Sequence, residues 1–282
     1  MISLELDDKI DVLPDEIEKQ ILNLVNKKAP NCYSQMSNTE IKFLKDNFIN
    51  DLKFKKYNIN LEQIQSIRSS YIKNKMIKKH SYLIAKSKNI IRDYEKKIGI
   101  LELSQKYDGS PLNIMRIILS KSNSKEKVKK LFNNPQLLNV HDKEQFTIAK
   151  ENDAFALVNQ DTIQVHAANF EKQIEQVLIK NKIKYKTQED LTKEQIITHG
   201  KAFSTPDFLI ESELLINGNQ IKWIDAKNFY GSNINFVKSK INEQTKKYIN
   251  NYGNGSIIFN LGFNDSYSNP NILFLSWNSF NK

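Results

Sequence analysis

Apolar positions in the first half of the chain recur at helical spacing. Ile17, Ile21, Leu22 and Val25 form one stripe, and Ile64, Ile67, Tyr71 and Ile72 form another. Such three- and four-residue steps line one face of an amphipathic helix. A third region is more specific. Residues 101–107 predict the end of a helix, Asp108-Gly109 a turn, and Ser110-Pro111 the cap and first position of a second helix bearing Leu112, Met115, Ile118 and Leu119. This is the pattern of a helix-turn-helix, with Asn113 and Arg116 as its candidate contacts to DNA. The same pattern also serves as a plain packing unit in all-α domains.

From about Asn159 the texture changes. Phe170, Ile174, Val177 and Leu178 predict a helix running to about Asn181, with Glu171 and Glu175 beside the stripe. A short strand at 182–185 and a polar loop follow. Residues 205–210 and 214–216 predict strand, Asn217-Gly218 a two-residue hairpin turn, and 221–227 the return strand. Residues 236–251 predict a helix with Gly253 beyond its end, and 257–259 and 272–275 two apolar strands. The expected order is α-β-β-β-α-β-β. Glycine usage agrees: none precedes Gly99, two precede Gly200 and six lie from Gly200 onward. Glycine marks turns and helix ends. The expected fold is therefore α+β. An all-α half with helix-turn-helix elements spans 1–150 and an α/β half spans 151–282.

Charge sharpens the first half. The net charge is +10, and residues 53–97 alone carry 13 Lys/Arg against Glu62, Asp93 and Glu95. The rest of the chain is formally balanced. A concentrated basic stretch is the footprint of a polyanion binder, although a solvated lysine-rich helix surface has the same composition. Lys73, Lys75, Lys78 and Lys79 are its candidate phosphate contacts. Arg68, Arg92 and Arg116 are the only arginines. Lysine point charges favour backbone contact over forked readout of guanine, so sequence-specific recognition is not favoured.

Other classes recede. Cys32 is the only cysteine, which excludes an internal disulfide and suits a reducing compartment. His80, His141, His166 and His199 are scattered and give no zinc-site spacing. No apolar run approaches the roughly 18 residues of a membrane span. The acidic N-terminal residues lack the features of a secretory signal. An intracellular location, nucleus or cytoplasm, is the expectation. There is no glycine-rich phosphate loop and no nucleophilic serine or cysteine motif.

The candidate chemistry lies in the hairpin. Asp225 and Lys227 are two apart on one strand and project from the same face. The hairpin brings Asp207 back toward Asp225. Two converging carboxylates suit a hard divalent ion such as Mg²⁺ or Mn²⁺, which would polarise a phosphate and acidify a bound water. Lys227 can orient that water or offset charge on phosphorus. Glu171 on the preceding helix is a third carboxylate, and Gln244 on the following helix can align phosphate or lysine. Charged residues at a hairpin end are also ordinary surface features, so the order of the flanking helices matters here.

With Glu171, Thr205-Pro206-Asp207-Phe208, Trp223-Ile224-Asp225-Ala226-Lys227 and Phe229-Tyr230-Gly231 in this order, the chain resembles the TPD-motif family. That group includes the codanin-interacting nuclease of animals. The likeness is specific from about Asn169 to Gly262, and Ser110 to Arg116 resembles the family's helical stretch. The resemblance implies a C-terminal restriction-endonuclease-like domain of the PD-(D/E)xK superfamily, similar to archaeal Holliday-junction resolvases. It implies catalytic roles for Asp207, Asp225, Lys227, Glu171 and Gln244, and a Mg²⁺ or Mn²⁺ ion held by Asp207, Asp225, Ala226 and Glu171. Asp225 stands where relatives often have Glu. The implied activity is metal-dependent hydrolysis of nucleic acid, DNA foremost, directed by structure. Resolvase-like relatives often dimerise, and a codanin-like partner depends on the host having one. A non-catalytic nucleic-acid-binding adaptor on a retired nuclease fold is the alternative. A helical transcription factor is a third.

Overall fold

The computed structural model describes residues 1–28, 33–52, 54–155 and 160–281, with the backbone alone for 26–28 and 160–162. Cys32, Lys53 and Asn159 lie outside the described residues. The strands are β1 (Ile2–Leu4), β2 (Val12–Leu13), β3 (Tyr185–Thr187), β4 (Phe208–Ile216), β5 (Asn219–Lys227), β6 (Gly255–Phe259), β7 (Phe263–Asn264) and β8 (Ile272–Ser276). The helices are α1 (Asp15–Lys28), α2 (Asn38–Leu44), α3 (Leu61–Ala85), α4 (Ser87–Glu95), α5 (Ile100–Tyr107), α6 (Pro111–Leu119), α7 (Lys125–Asn133), α8 (Val140–Glu151), α9 (Gln160–Lys180), α10 (Gln188–His199), α11 (Asn235–Tyr252) and α12 (Trp277–Phe280). The chain is α+β. Among the described residues no helix is long and apolar enough to cross a membrane.

Two compact units form. One comprises Val25–Phe43 and Ser69–Gln160; the other gathers Met1–Leu24, Leu44–Arg68 and Asp161–Lys282. The first is helical. Ile90, Leu103, Ile114, Met115 and Phe146 share its core. The expected turn lies between α5 and α6. Asp108 adopts a left-handed conformation at φ 48°. The Ser110 hydroxyl accepts from the Asn113 amide at 3.3 Å, and Pro111 opens the helix where its missing N–H costs nothing.

The second unit is built on a mixed sheet ordered β1-β4-β5-β6-β8, with β3 also paired to β4. β4 and β5 are antiparallel and turn through Asn217 and Gly218, at φ 49° and 72°. Two positive φ values match the right-handed twist of the strands, which is why Asn-Gly occurs there. β5, β6 and β8 run parallel. Phe170, Ile174 and Leu178 of α9 share a core with Ile210, Leu214, Ile224 and Ile258 of the sheet. Trp223 points to the opposite face and meets Tyr248 of α11, ring centres 5.3 Å apart.

The structure departs from the expected elements at α10, at β3, at the N-terminal strands and in the added short elements β7 and α12. The polar stretch after β3 is a helix, α10, started by a capping box in which Thr187 and Asp190 bond each other's backbone amides and ended by Gly200 at φ 75°. The short strand at 182–185 is displaced to Tyr185–Thr187, because Lys182 sits at φ 57° and terminates the turn out of α9. Met1–Leu24 and Leu44–Arg68, expected in the helical half, join the sheet unit instead. β1 pairs with β4 and β2 with β7, both parallel. Asn217 clamps the first of these, accepting from the Leu6 amide at 2.7 Å and donating to its carbonyl at 2.9 Å. Buried Glu18 of α1 ties in the rest. It accepts from the Ser232 hydroxyl, the Asn233 amide (3.0 Å) and the Asn264 side chain (2.6 Å). Burial still pushes its carboxyl above the ordinary range.

Gly255 marks a close approach. A Cβ there would lie 2.1 Å from ring atoms of the fully buried Trp223, whose indole N–H bonds the Gly253 carbonyl at 2.8 Å. Gly255→Ala is expected to cost about 1–3 kcal/mol by overpacking, read as a lowered midpoint in urea with an unchanged slope.

Candidate functional site

Strand register assembles the acidic pair. Phe208 faces Ile224 across the β4–β5 ladder, so the next position sets Asp207 alongside Asp225. Asp207 accepts a hydrogen bond from the Ala226 amide at 2.7 Å, fixing one carboxylate oxygen against the partner strand. Asp225 is fully buried. Its strand neighbours Ile224 and Ala226 turn to the α9 side, where both pack with that core. Trp223, Asp225 and Lys227 turn toward α11.

Gln244 of α11 organises that face. Its amide oxygen accepts from the Lys227 ammonium at 2.8 Å, and its amide nitrogen donates to Asp225 Oδ1 at 3.1 Å and to the Tyr248 hydroxyl at 2.8 Å. Tyr248 in turn donates to the Thr205 carbonyl at 3.2 Å. Lys227 makes an ion pair with Asp225 Oδ2. That oxygen has no hydrogen-bond donor of good geometry. The ammonium neutralises it through proximity, and one lone-pair direction of a buried carboxylate is left for another cation.

The electrostatics are those of crowded acids. Burial, then the charge on Asp225, then Glu171 push the Asp207 carboxyl up to about 8, against the Ala226 hydrogen bond and Lys227. Glu171, partly buried on α9, is raised by burial and by Asp225, with Lys227 opposing. Three carboxylates thus share one field with a single lysine. Among the described residues no group of three or more His, Cys, Asp or Glu side chains is placed to hold a metal ion. What Asp207, Asp225 and Glu171 offer is hard carboxylate oxygens and like charges that a divalent cation would relieve.

Glu171, Asp207, Asp225, Ala226, Lys227 and Gln244 therefore gather in the sheet unit. Tyr248 and the Thr205 carbonyl complete the network and were not anticipated. The signal was available, because positions 244 and 248 are one helical turn apart on the same face.

The other candidates lie in the helical unit. Lys75 and Lys79 of α3 form ion pairs with Asp108 at 2.6 and 3.2 Å, so they clamp the α5–α6 turn. Lys78 is exposed and Lys73 half-exposed on the same helix. Asn113 and Arg116 line one shallow cleft of about 300 Å³ with His80 and Lys121. The Arg116 guanidinium lies 4.2 Å over the Phe132 ring, an orientation set by cation–π attraction.

Residues 139–276 match the model of a family described as "Protein of unknown function TPD sequence-motif". The match runs from the start of α8 to the end of β8, and the TPD resemblance read at Thr205-Pro206-Asp207 holds across it. A protein of Acanthamoeba polyphaga mimivirus, "Uncharacterized protein L539", is 32% identical over 121 residues. The matched stretch is 42% of this chain, and the chain covers 42% of that relative's length. No solved structure matches.

The raised Asp207 carboxyl has a consequence for stability without metal. A folded-state value near 8 against an ordinary 3.8 means full stability below about pH 4 and progressive loss as pH rises toward 8. Asp207→Asn keeps an acceptor for Ala226 but removes the charge. It should raise the thermal midpoint in EDTA at pH 8 by several degrees, with little change at pH 4.5. An equal shift at both values would rule out charge crowding as the cause.

Proposed function

We propose that this chain is a divalent-metal-dependent nuclease that hydrolyses phosphodiester bonds in nucleic acid, DNA foremost, by backbone structure rather than base sequence. The reading is supported above all by one observation. Buried Asp225 is bonded by Gln244 and ion-paired to Lys227, while Asp207 and Glu171 crowd the same field. An adaptor has no use for such a cluster, which costs folding energy. On this reading the sheet unit is a restriction-endonuclease-like domain of the PD-(D/E)xK type.

Asp207, Asp225, Glu171 and the Ala226 carbonyl would hold Mg²⁺ or Mn²⁺, which when bound supplies Lewis-acid polarisation of the phosphate and acidifies a water. The chain's own groups do the rest. Gln244 holds the Lys227 ammonium by one amide atom and Asp225 by the other, so the cation is pre-aimed rather than free to swing. From there Lys227 can donate to a phosphate oxygen and offset charge developing on phosphorus. Tyr248 fixes which end of the Gln244 amide faces the lysine. Binding by the basic helical unit, an intracellular setting in nucleus or cytoplasm, a dimeric state and, where the host has one, a codanin-like partner belong to the same proposal.

A panel of labelled hairpin, junction, duplex and single-stranded substrates tests it. Mg²⁺ or Mn²⁺ should support cutting that EDTA abolishes. Lys227→Ala and Asp207→Asn should each lower the cleavage rate by at least about 100-fold, with substrate binding nearly intact. Full activity in Lys227→Ala would remove that residue from the mechanism. Tight binding without cutting of any substrate by the wild-type chain would leave the adaptor reading in its place.

A further inference from the structure

Beside the acid–lysine network lies an open cleft of about 730 Å³ along α11. Gln244 lines it, so the residue that bonds Lys227 and Asp225 also borders this space. Lys240, Lys246 and Lys247 line it too, against one acid, Glu243. Lys240, Gln244 and Lys247 follow i, i+4, i+7 spacing and form a stripe roughly 10 Å long. Among the described residues none of these three lysines is held in a salt bridge, and Lys240 rests over the Phe236 ring at 4.4 Å. The cleft is therefore net positive and its charges are free to meet an anion.

Phe203 lines the cleft as well and is 46% exposed. An exposed phenylalanine on a loose loop would mean little, but this loop is pinned. The Phe203 amide donates to Gln195 of α10 at 2.9 Å. The Ser204 carbonyl accepts from Gln195 at 2.7 Å and from the Tyr252 hydroxyl at 2.6 Å. His199 meets the Phe203 ring at 5.3 Å with the ring planes 70° apart, so the two rings brace each other without parallel stacking. Two residues further on, Thr205 enters the Tyr248–Gln244 network.

We infer that this cleft is a binding track for unpaired nucleic acid, with phosphates along the Lys240–Lys247 stripe and a base stacked on Phe203. Backbone phosphates answer the lysine row, and an aromatic face on a fixed loop is a stacking platform. A base within a duplex already has both faces stacked, so the platform selects single strands, frayed ends or flaps. Lysines and one phenyl ring carry no base-edge code, so the track tolerates any sequence. The inference rests on the nuclease reading for what the strand is delivered to, namely the Asp225–Lys227 network that Gln244 joins to the cleft.

Binding is measured by fluorescence anisotropy with the full chain in EDTA, where metal-dependent cutting is absent. The probes are an about 12-nucleotide DNA, the RNA of the same sequence and the blunt DNA duplex. Single strands should bind more tightly than the duplex, and the DNA and RNA arms show which sugar is preferred. Phe203→Ala should weaken single-strand binding about tenfold, with Phe203→Trp restoring it. Lys240→Ala and Lys247→Ala should each reduce the slope of log affinity against log salt by about 0.7. All three positions are exposed, and thermal melts check that the variants fold. Phe203→Ala binding within twofold of wild type, or duplex bound as tightly as single strand, would overturn the inference. Phe203-dependent binding by a chain that cuts nothing with Mg²⁺ or Mn²⁺ would sink the nuclease reading while leaving the track. Cutting and binding both unaffected by Phe203→Ala would do the reverse.

Discussion

A fully buried carboxylate on a central strand is costly unless its charge is met, and Asp225 is such a group. The surrounding sheet unit is arranged to meet it. Lys227 two residues on supplies the counter-charge, Gln244 supplies a donor from α11, and Tyr248 and the Thr205 carbonyl hold Gln244 in register. The β4–β5 hairpin then brings Asp207 to the same end and fixes it on the Ala226 amide. That second acid, with Glu171, makes one lysine insufficient. The arrangement crowds acids at one point and disfavours their ionisation, raising the Asp207 and Glu171 carboxyls, a cost that a bound cation would relieve.

The helical unit uses its charge differently from a uniformly basic surface. Lys75 and Lys79 are spent on Asp108, and so they brace the α5–α6 turn instead of facing outward. The Arg116 guanidinium sits over the Phe132 ring. Lys78, by contrast, stays exposed on α3. In the sheet unit Lys240, Lys246 and Lys247 of α11 make no salt bridge among the described residues and border the same cleft as Gln244, next to the acid cluster. Positive charge that matters for a polyanion is thus set by which lysines lack carboxylate partners, and a net count along the chain does not reveal it.

Legibility followed from the range of the interactions involved. The Asn217-Gly218 turn, the Ser110-Pro111 cap and the α11 segment are decided by neighbouring residues, and each was readable. The return of Asp207 toward Asp225 was readable from the turn, but the register was not. The two-residue turn alone would set Asp225 opposite Ile210, and an irregularity in β4 between Leu209 and Leu214 shifts the pairing so that Asp207 comes alongside Asp225. The α10 helix was missed although Thr187 and Asp190 spell a capping box, since its apolar residues are too few to form a stripe; Leu191 is buried while Ile196 and Ile197 are exposed. The N-terminal strands were invisible for a stronger reason. Ile2–Leu4 pairs with Leu214–Ile216, more than two hundred positions away, and Glu18 finds its donors at Ser232, Asn233 and Asn264. No local pattern encodes such partners. Phe203 escaped notice for a similar reason, since its exposure depends on where Gln195 and Tyr252 hold its loop.

On the proposed reading, Asp207, Asp225 and Lys227 at the end of one hairpin, with Glu171 of α9, form a site for a divalent ion. Electron paramagnetic resonance of Mn²⁺ titrated with the full chain addresses it without any substrate. The account predicts a single ion bound per chain, displaced by Mg²⁺ and lost in Asp225→Asn, with the variant still folded by circular dichroism. A spectrum that remains that of free Mn²⁺ with wild-type chain in excess, or binding that persists unchanged in Asp225→Asn, would contradict it.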